Sequence, residues 1–105
     1  MSPRRKSNIF LVKAKYDSGE CGVYSYTNAM EEYARILNEF EERKAEALKW
    51  QRELVSLLRE SEPEDASEYL SVMMRRLSEM LKEAGEISES QRVSDEENKI
   101  REKYW

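Results

Sequence analysis

Between Gly22 and Gly85 the chain contains no glycine and one proline, Pro63. Glycine and proline are the residues that end helices most sharply. So long a stretch without them, rich in Glu, Lys, Arg, Leu, Ala and Met, commits most of the molecule to helix. Asn28, followed three residues later by Glu31, reads as an N-cap with its capping-box partner, and the helix it opens should run to about Ser61. With Leu37 as origin and about 100° per residue, Met30, Tyr33, Ala34, Ile36, Phe40, Ala47, Leu48, Leu54, Val55 and Leu58 fall in one broad arc, the stripe that faces a core.

Ser61, Pro63 and Glu64 form a second start signal, and Gly85 is the matching stop. Between them Ala66, Leu70, Met73, Leu77, Met80 and Ala84 alternate spacings of four and three, a coiled-coil seam in which the methionines are core residues. The short turn makes the two helices an antiparallel hairpin. Beyond it Ile87 to Val93 is polar and weakly patterned. Ser94 with Glu97 marks a short last helix carrying Ile100, Tyr104 and Trp105.

The start of the chain reads differently. Asn8 to Tyr16 is an apolar run that becomes alternating, Asp17-Ser18-Gly19-Glu20 is a turn signal, and Cys21 to Thr27 holds Val23, Tyr24 and Tyr26. Period two puts Phe10, Val12, Ala14 and Tyr16 on one face, and Lys13 and Lys15 on the other, of a β-hairpin. The hairpin should pack on Met30, Tyr33 and Leu37. The expected fold is therefore mainly α, of α+β type, in a single domain 1–105. It comprises a basic arm 1–7, a β-hairpin 8–27, a long helix 28–61, a second helix 62–85 and a tail or short third helix 86–105.

A first helix of about 50 Å cannot be covered by a second of about 32 Å, which leaves apolar surface for a partner. Ile36, Arg43, Trp50 and Leu57 recur every seven residues on one flank of that helix, with Trp50 and Leu57 as apolar anchors. Trp and Arg are enriched at protein interfaces, so these four residues are the expected contact surface, most simply of a homodimer.

Chemistry is constrained mainly by what is missing. The chain has no histidine and one cysteine, Cys21, which removes histidine-based catalysis, the usual zinc sites and any internal disulfide. Cys21 reads as a small packed hydrophobe. Gly19 and Gly22 belong to no phosphate-binding loop, and the paired carboxylates lie on polar helix faces. No enzyme, cofactor, metal or small-molecule substrate is expected. With no apolar run long enough for a membrane span or signal core, a cytoplasmic location without membrane contact is the expectation.

Charge is uneven. Residues 1–27 carry five basic residues against Asp17 and Glu20, a surplus of +3, while the remainder carries −7. Arg4, Arg5, Lys6, Lys13 and Lys15, beside Tyr16, Tyr24 and Tyr26, form the one constellation able to grip phosphates and stack bases. The leading expectation is a protein-protein interaction module, an adaptor, assembly subunit or phage-type inhibitor. The alternative is a small nucleic-acid-binding regulator that uses the basic start. Acidity overall favours the former. Titration of a generic duplex and a single strand near physiological salt should therefore show no submicromolar binding that Arg4→Ala, Arg5→Ala and Lys6→Ala abolish; such binding, falling steeply with added salt, would reverse the ranking.

Overall fold

A computed structural model describes residues 3–61 and 67–104, with side chains from residue 9 to 60 and from 68 to 103. The described residues are all-α: α1 (Pro3–Asp17), α2 (Val23–Leu37), a 3-10 turn (Glu41–Arg43), α3 (Lys44–Ser61), α4 (Ser67–Glu83) and α5 (Ile87–Tyr104). They contain no strand, so the expected β-hairpin over 8–27 is replaced by most of α1, a turn and the start of α2. By contact the chain divides into two compact units, Met1–Trp50 and Gln51–Trp105.

The hairpin expectation fails because its turn signal has two meanings. Gly19 has φ +83°, the left-handed conformation a β-turn would also use. Here it ends a helix: Glu20 N–H donates to Lys15 O at 2.7 Å and Gly19 N–H to Tyr16 O at 3.1 Å, the paired bonds of a Schellman cap. The apolar residues then obey the helical period. Ile9 is buried with Val12 and Tyr16 half-buried three and seven residues on, while Phe10, on the strand face with Val12, points outward.

The long helix expected over 28–61 is also divided. α2 begins at Val23, behind Gly22, so Asn28 lies inside a helix instead of capping one. It stops at Leu37, and Phe40 adopts an extended backbone (φ −108°, ψ 122°) before the next turn. No glycine or proline marks this break. Lys44 Nζ donates to Asn38 O at 3.1 Å, and Glu41 and Glu42 stand at the start of the following helical segment, where carboxylates suit the helix dipole. The surplus length inferred from a single 50 Å helix disappears with it.

In the second unit, residues 51–61 of α3 combine with α4 and α5. Gly85 (φ +84°) closes α4 as Gly19 closes α1, with Glu86 N–H on Leu81 O at 2.8 Å and Gly85 N–H on Lys82 O at 3.1 Å. α5 returns antiparallel to α4: Ser78 faces Ser90, and Ser71 faces Glu97. The last helix is 18 residues long, extending well beyond the short tail expected, with Ser94 and Glu97 in its interior. The calls on Pro63, Glu64 and Ala66 and on the side chains of Ser61, Tyr104 and Trp105 lie outside the described residues. Leu54, Val55, Leu58, Leu70, Met73, Met74, Leu77, Leu81 and Val93 form the core; Met80 is half-buried and Ala84 exposed, so the α4 seam is rotated from the one expected. No described helix is long and apolar enough to cross a membrane.

α3 and α5 run parallel, and two bidentate ion pairs one heptad apart hold their register. Arg52 reaches Glu89 at 3.0 and 2.7 Å, and Arg59 reaches Glu96 at 2.8 and 2.7 Å. The hydrogen bonds from Arg52 hold the Glu89 carboxyl below its ordinary range, against the opposing effect of desolvation, and raise the Arg52 guanidinium in turn. Because the folded pKa of Glu89 lies below the unfolded one, this contribution is complete above the ordinary glutamate pKa of about 4.3 and is lost as pH falls through the folded value. Chemical denaturation should find Arg52→Ala less stable than the parent at neutral pH, the gap closing below about pH 4. A gap independent of pH would show that the pair contributes through packing alone.

Candidate functional site

Within the first unit, α1 and α2 form an antiparallel helical pair. Tyr16 stacks on Tyr26 with ring centroids 5.0 Å apart at 27°, fixing the closed end of the pair beside the Gly19 turn. Cys21 is half-buried there, its thiol donating a long bond of 3.8 Å to Val12 O. Thr27 is fully buried in the turn region of α2, with its hydroxyl on Tyr24 O at 3.2 Å. Met30, Tyr33, Ala34 and Leu37 continue the buried face of α2. The residues read as a strand do lie against this helix, as α1.

Further along, the pair opens into a groove of about 440 Å³. Ile9, Leu11, Val12 and Lys15 line it from α1, and Asn28, Ala29, Glu32, Tyr33 and Ile36 from α2. Most of this lining is apolar, with Lys15 on one wall and Glu32 on the other. Beside the groove the surface remains greasy: Ile9 is 1% exposed, but its neighbours Phe10 and Leu11 are 51% and 54% exposed. The cause is elementary. Four consecutive apolar residues span about 300° of a helix, so no single partner face can bury Ile9, Phe10, Leu11 and Val12 together.

Tyr33 links the groove to the start of α3. Trp50 meets its ring edge-on at 5.5 Å and 80°, a favoured aromatic geometry. The Tyr33 hydroxyl is buried without a hydrogen-bond partner. Burial raises its pKa, helped by the negative charge of Glu46 and opposed by Arg43, and those two side chains pair at 3.5 Å.

Of the four residues expected as an interface, Ile36 lines the groove, Arg43 lies in the 3-10 turn, Trp50 is half-buried on Tyr33, and Leu57 is half-buried in the second unit. The helix break separates Ile36 from Trp50 and Leu57, so the seven-residue spacing does not run along one helix. Among the basic residues, Lys13 is exposed and bonds Asp17 at 2.9 Å, and Lys15 is exposed at the groove. The side chains of Arg4, Arg5 and Lys6 lie outside the described residues. Sequence reasoning turned Phe10 inward, onto the face expected to pack on α2, and singled out none of Leu11, Ala29 and Glu32. The signal for Phe10 and Leu11 was the unbroken run Ile9–Val12.

An orphaned buried hydroxyl costs about 1–3 kcal/mol of desolvation that nothing returns. Tyr33→Phe should therefore leave the thermal midpoint unchanged or raise it, whereas Tyr33→Ala should lower stability by about 3–5 kcal/mol and alter Trp50 fluorescence. A Phe variant as damaged as the Ala variant would mean that the hydroxyl has a partner. Comparison of the chain with protein-family models, curated proteins and solved structures finds no match.

Proposed function

We propose that this chain is a non-enzymatic protein-interaction module, which acts in the cytoplasm by presenting helical surfaces to a protein partner and to a second copy of itself. The observation that carries the reading is the outward display of Phe10 and Leu11 on α1, beside an open and mostly apolar groove. Adjacent large apolar side chains flanking a concavity are a pattern of docking sites. Helix-in-groove recognition is the mode that such a surface suits. A role as adaptor, inhibitor or assembly subunit follows from size and surface.

The chemistry of the chain supports binding over catalysis. It has no histidine, and Cys21 is its one thiol, as befits a reducing compartment. The buried carboxylate of Glu97 is engaged structurally, accepting hydrogen bonds from Ser71 Oγ at 2.6 Å and Arg101 Nε at 2.8 Å. The nucleic-acid alternative loses its expected platform, because the β-ribbon that would have displayed Tyr16, Tyr24 and Tyr26 is replaced by helices. Tyr16 and Tyr26 stack on each other.

The test is a cross-linked capture from the native host with the parent chain and with a Phe10→Ser, Leu11→Ser double variant. The double variant should keep its helical circular dichroism, since both side chains are more than half exposed, and should lose the protein cross-linked at α1. Equal recovery by both chains would remove α1 as the working surface, and recovery of nucleic acid in place of protein would overturn the reading.

A further inference from the structure

The groove carries a more specific inference, which rests on the interaction-module reading. We infer that its occupant is an acidic amphipathic helix of a partner protein, which lays a short apolar ridge between α1 and α2 and turns a row of carboxylates toward α1.

Shape comes first. The lining runs from Ile9 to Lys15 on α1 and from Asn28 to Ile36 on α2, about 9 and 12 Å along the two helix axes. Two antiparallel helices leave between them a furrow parallel to their axes, and a third helix seated in it completes a bundle. Two turns of such a helix match the length of the groove, so the ridge needs three apolar side chains, at i, i+4 and i+7. Leu11 on the α1 wall and Phe10 beside it, both more than half exposed, are then covered. A lipid surface is flat at this scale and leaves the concavity unfilled.

Charge selects among helices. α1 carries Arg4, Arg5, Lys6, Lys13 and Lys15 against Asp17, a net charge of +4 over its whole length. α2 carries Glu31 and Glu32 against Arg35, a net charge of −1. The two walls therefore differ, and the α1 side favours an anionic flank on whatever lies against it. Lys13 is bonded to Asp17 at the surface and Glu32 has a partner of its own, whereas Lys15 is the cation in the lining of the groove. A second α1–α2 pair is a poor occupant of this groove, because it brings the same cationic helix and an α2 of only −1.

The chain uses this mode of pairing in its other unit. There α5, whose seam toward α4 is poor in apolar residues, is held on α3 by Glu89 on Arg52 and Glu96 on Arg59, each with a contact at 2.7 Å. One helix thus docks on another through carboxylates seven residues apart. α1 offers the cationic half of such a contact, with exposed Phe10 and Leu11 to supply the apolar half.

The probe is a pool of synthetic helix-forming peptides of about 18 residues, long enough to hold a helix, with varied apolar residues at i, i+4 and i+7 and either Glu or Lys, at random, along one flank. The immobilised full chain should retain a fraction enriched in Glu over Lys, and the binding of those peptides should weaken as salt is added. Leu11→Ser should abolish retention. Lys15→Glu should weaken the binding of the Glu peptides at least about threefold and remove the preference for them. Enrichment in Lys, or retention no greater than on the Leu11→Ser chain, overturns the inference, as do peptides that bind the parent and Lys15→Glu chains alike. If Lys15→Glu loses helicity, Lys15→Gln replaces it, and an unchanged preference in that variant overturns the inference equally. Vesicles of phosphatidylserine and phosphatidylcholine that displace the peptides from the parent would assign the face to a membrane surface and overturn the helix. A parent dimer that Leu11→Ser dissociates would assign it to a second copy and do the same. Failure of the pool, while the captured host protein is still lost on Phe10→Ser and Leu11→Ser, would refute the acidic helix alone and leave the interaction-module reading intact. Capture unaffected by that double variant would remove both.

Discussion

Two glycines with positive φ set the topology within each unit. Gly19 and Gly85 sit at nearly the same φ, +83° and +84°, and each receives the paired hydrogen bonds that close a helix and turn the chain back. An L-residue in that conformation costs about 1–2 kcal/mol, and neither position has a heavy atom within 4 Å of where a Cβ would sit. The requirement is therefore conformational and not steric. It is met once between α1 and α2 and once between α4 and α5, and the contacts that matter most follow from those reversals: the Tyr16–Tyr26 stack and the groove in one unit, the Ser78–Ser90 and Ser71–Glu97 contacts in the other.

The same glycines explain what the sequence disclosed and what it concealed. At Gly85 the preceding residues had an unambiguous helical period, so a stop signal could only be a helix end. At Gly19 the preceding Phe10, Val12, Ala14 and Tyr16 matched a strand, while Ile9, Val12 and Tyr16 matched a helix, and the turn residues favoured neither. Runs this short do not distinguish the two periods. The break after Leu37 was hidden for another reason. It is held by a side chain, Lys44 on Asn38 O, and not by a residue whose backbone excludes helix. The candidate site suffered accordingly. Its α2 half, with Tyr33 and Ile36, was legible as an apolar stripe, and its α1 half was assigned to the wrong element.

α5 shows how a polar sequence can still supply a core face. Its seam toward α4 is Ser90, Val93, Glu97 and Ile100, of which two residues are apolar, so apolar periodicity alone could not find it. The serines compensate by allowing close approach: Ser78 and Ser90 exchange bonds, with Ser90 Oγ donating to Ser78 O at 2.8 Å and Ser78 Oγ to Ser90 O at 3.1 Å. Glu97 is buried as a charge, but the Ser71 hydroxyl and the Arg101 guanidinium satisfy it, with Arg75 3.6 Å away. A buried carboxylate so held disfavours any register in which those donors are absent. That specificity complements the heptad-spaced Arg52–Glu89 and Arg59–Glu96 pairs on the α3 side.

The two units therefore differ in how fully each satisfies itself. In residues 51–105, three helices share an apolar core and the polar positions of the seam find partners, leaving Ile87 as the exposed large hydrophobe of the described residues there. In residues 1–50, Phe10, Leu11, Tyr24 and Phe40 are exposed together with a groove, and a core tyrosine keeps its hydroxyl unpaired. Stability alone would favour polar residues at positions 10 and 11, because an outward Phe or Leu gains nothing from folding and invites association. The folding of this unit alone does not account for two large apolar side chains more than half exposed. The cost of that exposure falls on the unit that also carries the groove, an apolar channel with Lys15 on one wall and Glu32 on the other.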